Sequence, residues 1–269
     1  MDLLLPLTFA VGLWWLSTIL LLWRMRMASG SFAVTMSIAT LTAVVAMTGF
    51  WFSLERDTVI GAYIAFSSAV GLWAWHETSY YLGYVTGPRP RPCPAGVSQW
   101  QRFVYGVRAS LYHELAIIAT AVALLWLSAD AANKIAAQAF TVMWLMRWST
   151  KLNLFFGVSN LHENFWPDRL RYLTSYMRER SGSAFFLISA VLVVALAFWI
   201  GQPLLGGFIG DFTAAGALLV LTLLGLACLE HLFLMLPISD EVLWRWGLGA
   251  PATAGAKHLD TTPEHRTTQ

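Results

Sequence analysis

The stretch Leu3–Trp23, LLLPLTFAVGLWWLSTILLLW, holds no charged residue. A helix needs about 20 apolar residues to cross the hydrocarbon core of a bilayer. Backbone amides in lipid must be satisfied internally, so such a run is expected to be helical. Six further runs read the same way: Phe32–Leu54, Thr58–Leu82, Phe103–Ser128, Asn133–Phe156 (with a possible extension to Glu163), Ala184–Ile200 and Phe212–Leu236. The expected fold is all-α, a polytopic membrane helical bundle of about seven transmembrane helices.

Composition agrees. Of 269 residues, 57% are hydrophobic and 12% charged, against about 25% charged in an ordinary soluble domain. Fourteen Trp suit the two membrane interfaces. A net charge of +2, with the basic residues in short loops, gives no groove for nucleic acid. Cys93 and Cys228 lie in a Pro-rich loop and an apolar run, which is no disulfide framework. The N-terminus lacks a basic leader and a small-residue cleavage site, so the first run reads as a retained helix.

Basic residues alternate between loops. Arg24 and Arg26 follow the first run. Arg89, Arg91 and Arg102 follow the third. Arg169, Arg171, Arg178 and Arg180 follow the fifth, and Arg245, Lys257 and Arg266 the seventh. Positive loops stay in the cytoplasm, which predicts a periplasmic N-terminus and a cytoplasmic C-terminus. Residues 1–246 then form one transmembrane domain. The Pro-rich loop 86–100 is expected as an extended cytoplasmic connector, and residues 247–269 as a disordered cytoplasmic tail.

Chemistry concentrates in four adjacent pairs: His76-Glu77, His113-Glu114, His162-Glu163 and Glu230-His231. Chance adjacency in this composition gives about 0.4 such neighbours. The predicted topology puts all four pairs in the cytoplasmic half at similar depth. An ionised Glu at the centre of a membrane helix costs about 2.5 kcal/mol or more, and four in one layer repel one another. Bound cations would offset both costs. Four carboxylates and four imidazoles match the ligand inventory of a two-metal centre in a helical bundle, with Fe or Mn favoured over Zn. Adjacent helical residues point about 100° apart, so the two members of a pair need not both be ligands, and one can serve to support the other.

Other readings stand beside this one. A membrane imidazole can hydrogen-bond a neighbouring helix, Glu163 suits a helix end, and a lone His can ligate haem or a chlorophyll-type pigment. Arg147 and Lys151, four residues apart, could pair with the Glu side chains or hold an anionic ligand. Tyr80, Tyr81, Tyr84 and Tyr112 flank the pairs and read as an interfacial belt. No phosphate-binding loop, Ser–His–Asp order or Cys-x-x-Cys motif is present.

Four motifs carry a family resemblance: Trp73-Ala74-Trp75-His76-Glu77, Tyr112-His113-Glu114-Leu115, Lys151-Leu152-Asn153-Leu154 with Asn160-Leu161-His162-Glu163-Asn164, and Leu229-Glu230-His231-Leu232. Together with length and span count, they make the chain resemble the photosynthetic complex assembly protein 2 family (PuhE) of anoxygenic phototrophic bacteria, over roughly residues 1–246. The resemblance implies a bacterial inner (cytoplasmic or intracytoplasmic) membrane. It also implies a role in assembling reaction-centre and light-harvesting subunits or in bacteriochlorophyll supply, with those subunits, membrane lipid and bacteriochlorophyll as partners. It carries over no catalytic residue. The ligand inventory alone gives the alternative, a membrane two-metal oxidoreductase or hydroxylase.

Overall fold

The computed structural model describes residues 4–25, 31–161, 166–180, 184–206 and 210–235. His162-Glu163 and the tail 247–269 lie outside them. The described chain is helical: α1 (Leu4–Met25), α2 (Phe32–Ser53), α3 (Val59–Tyr81), α4 (Gln99–Leu127), α5 (Ile135–Phe156), a 3-10 helix (Asp168–Tyr176), α6 (Ala184–Leu205) and α7 (Asp211–Met235). Among the described residues the only β pairing is an isolated bridge between Val158 and Glu179.

Six of these helices are long and apolar enough to cross a membrane. The exceptions are the nine-residue 3-10 helix and α5, whose 22 residues include Gln138, Arg147, Ser149, Thr150, Lys151 and Asn153. Its polarity has a structural reason, because α5 lies inside the bundle. It packs against α3, α4, α6 and α7, while α2 packs on α3, and α1 on α3 and α7. Small residues allow the close approach, with Ala136, Ala137 and Ala139 of α5 and Ala62, Ala65 and Ala69 of α3 all buried. Such residues let membrane helices approach at backbone distance. The peripheral helices turn large apolar side chains outward: Val34, Ile38 and Leu41 on α2, and Leu187, Val191 and Phe198 on α6. An apolar outer face is what a lipid surround requires.

Local signals fix the helix ends. Thr58 accepts a hydrogen bond from the Gly61 amide at the start of α3. Ser98 and Gln101 form a reciprocal capping box at the start of α4, which satisfies two otherwise orphaned donors. At the far end of α5, Gly157 adopts φ +130°, a conformation that L side chains rarely reach.

The loop 86–100 is docked on its neighbours. It is folded back along α4 and onto the 3-10 helix instead of standing free. The His113 amide donates to the Thr86 carbonyl (3.0 Å), and the Arg89 amide to the Arg108 carbonyl (3.3 Å). The Cys93 amide donates to Ser175 Oγ (2.8 Å). The Arg89 guanidinium donates to the Tyr176 hydroxyl, which itself donates to the Arg91 carbonyl at 2.7 Å. Burial holds the Tyr176 phenol above its ordinary range, the nearby Arg89 charge working the other way, so it stays a neutral donor. Tyr80, Ala109, Leu170, Leu173 and Tyr176 form a second small core beneath this strap.

Candidate functional site

The polar layer is built where α3, α4 and α5 meet. His76 and Glu77 lie in the last two turns of α3, and both are buried. As their adjacency requires, they point to different neighbours. His76 Nε2 lies 2.9 Å from Thr120 Oγ1 of α4, and its ring meets the edges of Trp75 and Phe140. Glu77 turns to α5, where Arg147 Nη2 donates to its Oε2 at 2.7 Å. Arg147 also donates to the Tyr81 hydroxyl at 3.1 Å.

The pair on α4 repeats the pattern. His113 is wholly buried and Glu114 nearly so. Lys151 of α5 forms a close ion pair with Glu114 Oε1. The His113 ring stacks on Tyr80, with centroids 4.2 Å apart and planes 23° off parallel. Its Nε2 stands 3.9 Å from Glu77 Oε1, too far for a hydrogen bond. Arg147 and Lys151 sit one turn apart, so one face of α5 delivers a cation to α3 and another to α4.

The described members of the His–Glu pairs thus face different neighbours, and α7 follows the same rule. On α7, His231 is buried and bonded locally, with Nδ1 2.8 Å from the Ala227 carbonyl and Nε2 2.8 Å from Ser149 Oγ of α5. Glu230 is exposed and makes no ion pair with a described residue. His162 and Glu163 lie outside the described residues.

This geometry bears on the two-metal expectation. Among the described residues no group of three or more His, Cys, Asp or Glu converges on a point where an ion could sit. The cations that offset Glu77 and Glu114 are Arg147 and Lys151, so charge balance requires no metal.

Several buried atoms in the layer lack a hydrogen-bond partner among the described residues: His76 Nδ1, Glu77 Oε1, both nitrogens of His113, Glu114 Oε2 and Arg147 Nε. Buried polar atoms are nearly always paired, and each exception calls for an explanation. Two fixed ion pairs thus frame an imidazole and two carboxylate oxygens with unused bonding capacity. The arrangement suits binding of a polar or metal-bearing group through a neutral imidazole.

A helical membrane protein with a charge-paired layer buried between three helices is the class that fold and site define. The chain belongs to the family described as "Protein of unknown function (DUF3623)", whose model matches residues 1–254. A similar protein is the "Uncharacterized 30.4 kDa protein in puhA 5'region" of Rhodobacter capsulatus, 34% identical over 246 residues that cover 88% of each chain. No solved structure matches.

Proposed function

We propose that this protein serves the assembly of photosynthetic reaction-centre or light-harvesting complexes, or the supply of bacteriochlorophyll to them, from within the bacterial inner membrane. Support comes from the likeness to a protein of the puhA region and from the motifs around the four His–Glu pairs. In this reading α5 is a seventh span, the N-terminus is periplasmic and the C-terminus cytoplasmic. The polarity of α5 is consistent with that, because its two cations pair with carboxylates inside the bundle.

The observation that carries the reading of the site is His113. It is a buried imidazole with neither nitrogen engaged by a described residue, held by stacking on Tyr80. A neutral imidazole of this kind supplies what an axial ligand to a chlorophyll-type or haem metal requires. Glu77 Oε1 and Glu114 Oε2 are free to accept hydrogen bonds from the same cargo.

The test is genetic and spectroscopic. The Rhodobacter capsulatus relative is deleted, and this chain is supplied in its place, either native or as His113→Leu. Near-infrared absorption of membranes reports reaction-centre and antenna levels. The expected result is loss on deletion, recovery with the native chain and failure of His113→Leu at equal protein level. Normal complexes in the deletion strain would overturn the assembly role. Recovery by His113→Leu would overturn the site. Elemental analysis of the purified chain addresses the oxidoreductase or hydroxylase alternative, which needs about two Fe or Mn per chain, lost on His113→Leu.

A further inference from the structure

A second charged site lies at one end of the bundle, apart from the α3–α4–α5 layer. Arg102, in the first turns of α4, is only 8% exposed. Its Nη2 donates to the Phe155 carbonyl at the end of α5 (2.7 Å), and its guanidinium lies 4.2 Å over the Phe155 ring. Its Nε has no hydrogen-bond partner among the described residues. Arg178 reaches the same place from the segment after the 3-10 helix. Its amide donates to the preceding carbonyl, that of Leu154 (3.0 Å). Its guanidinium lies against the Gln99 side chain of α4, at 3.1 and 2.6 Å from the oxygen of the correctly oriented amide.

Capping the end of α5 explains one N–H of Arg102. It leaves the rest of the geometry unexplained. Both arginines come to the junction of the start of α4 with the end of α5, Arg102 on the Phe155 carbonyl and Arg178 on Leu154 and Gln99, and neither pairs with a carboxylate among the described residues. A buried guanidinium without a carboxylate partner, beside a second half-buried one, is costly unless an anion joins them. The start of α4 adds to the field. The capping box satisfies the donors of Ser98 and Gln101. The first amides of a helix, here those of Gln99 and Trp100, have no acceptor within it, and a 29-residue helix presents the positive end of its dipole there. Beside these groups lies an aromatic shelf. Trp100 is 71% exposed and stacks on Phe103 (5.7 Å), which meets Phe155 edge-on (5.4 Å). Exposed Trp at the end of a membrane-crossing helix marks headgroup depth.

We infer that Arg102, Arg178 and the N-terminus of α4 bind a phosphate group, of the kind carried by an anionic phospholipid whose acyl region lies along Trp100 and Phe103. Arginine suits this role because its planar fork meets two phosphate oxygens at once.

The test uses the full chain purified in neutral detergent and offered equal amounts of phosphatidylglycerol and phosphatidylcholine. Native mass spectrometry counts retained lipid, and a parallel arm titrates inorganic phosphate against thermal stability. Preferential retention of phosphatidylglycerol is expected, falling about fivefold in Arg178→Gln and further in Arg102→Gln with Arg178→Gln. Arg171→Gln, at an exposed arginine paired with Asp168, leaves retention unchanged. The half-buried Arg178 keeps the test decisive if Arg102 variants fail to fold. Equal retention of the two lipids, or native retention in Arg178→Gln, overturns the inference. Stabilisation by inorganic phosphate as strong as by phosphatidylglycerol, and lost in Arg178→Gln, overturns the lipid source and leaves a free anion as the ligand.

Discussion

Arg147→Met is expected to destabilise the folded chain by about 3–5 kcal/mol, the cost of leaving one member of a buried ion pair without its partner. Glu77 would then keep a charge beside Tyr81 and His113 without its ion-pair partner. The loss is specific, so it should be recoverable. Adding Glu77→Gln removes the stranded charge, and the double variant should regain most of the lost stability. A double-mutant cycle, read from unfolding in a mild detergent, measures the coupling directly. Independent, additive effects of the two substitutions would mean that the side chains do not meet. The cycle Lys151→Met with Glu114→Gln should behave in the same way, since α5 supplies that cation too.

Gly87→Ala should release the strap from α4. A Cβ at position 87 would lie 2.3 Å from the Arg108 carbonyl oxygen and within 2.8 Å of the Ala109 carbonyl. These are backbone atoms of a helix and cannot rotate aside. The strap must lift, which breaks the His113–Thr86 and Arg89–Arg108 bonds. Overpacking of this kind costs about 1–3 kcal/mol. The cost falls on local opening of the strap more than on the bundle. Cys93 reports it, because its amide is tied to Ser175 and its side chain packs in the small core. Maleimide labelling of Cys93 should accelerate about tenfold or more, with Cys228 on α7 as the internal reference. An unchanged rate would show that the loop does not press on α4.

The class of fold was legible because lipid imposes it. Charge depletion, run length and Trp content all follow from the absence of water around the outer helices. The approximate positions of the helices were legible for the same reason. The inner arrangement was legible only in part. Arg147 and Lys151, four residues apart among apolar neighbours, already suggested partners for the Glu side chains, and α5 delivers them to Glu77 and Glu114. Adjacency in sequence does not fix a common direction, because residues 100° apart on a helix face different neighbours. Thus His76 reaches Thr120 while Glu77 reaches Arg147, and His231 bonds Ser149 while Glu230 is exposed. The strap was not legible at all. Pro-rich composition signals an extended backbone but carries no periodicity that says where it docks. The contacts of Arg89 with Tyr176 and of Cys93 with Ser175 join residues more than eighty positions apart.

The claim on which the site depends is that α5, carrying Arg147 and Lys151, enters the bundle and neutralises the carboxylates of its neighbours. Magic-angle-spinning NMR on the lipid-reconstituted chain, with 15N-labelled arginine and 13C-labelled glutamate, tests it at the atoms concerned. The account predicts a strong dipolar coupling between the Arg147 guanidinium nitrogen and the Glu77 carboxyl carbon, abolished by Glu77→Gln. A spectrum without that coupling, from a chain that is folded and retains α3 and α5, would contradict it.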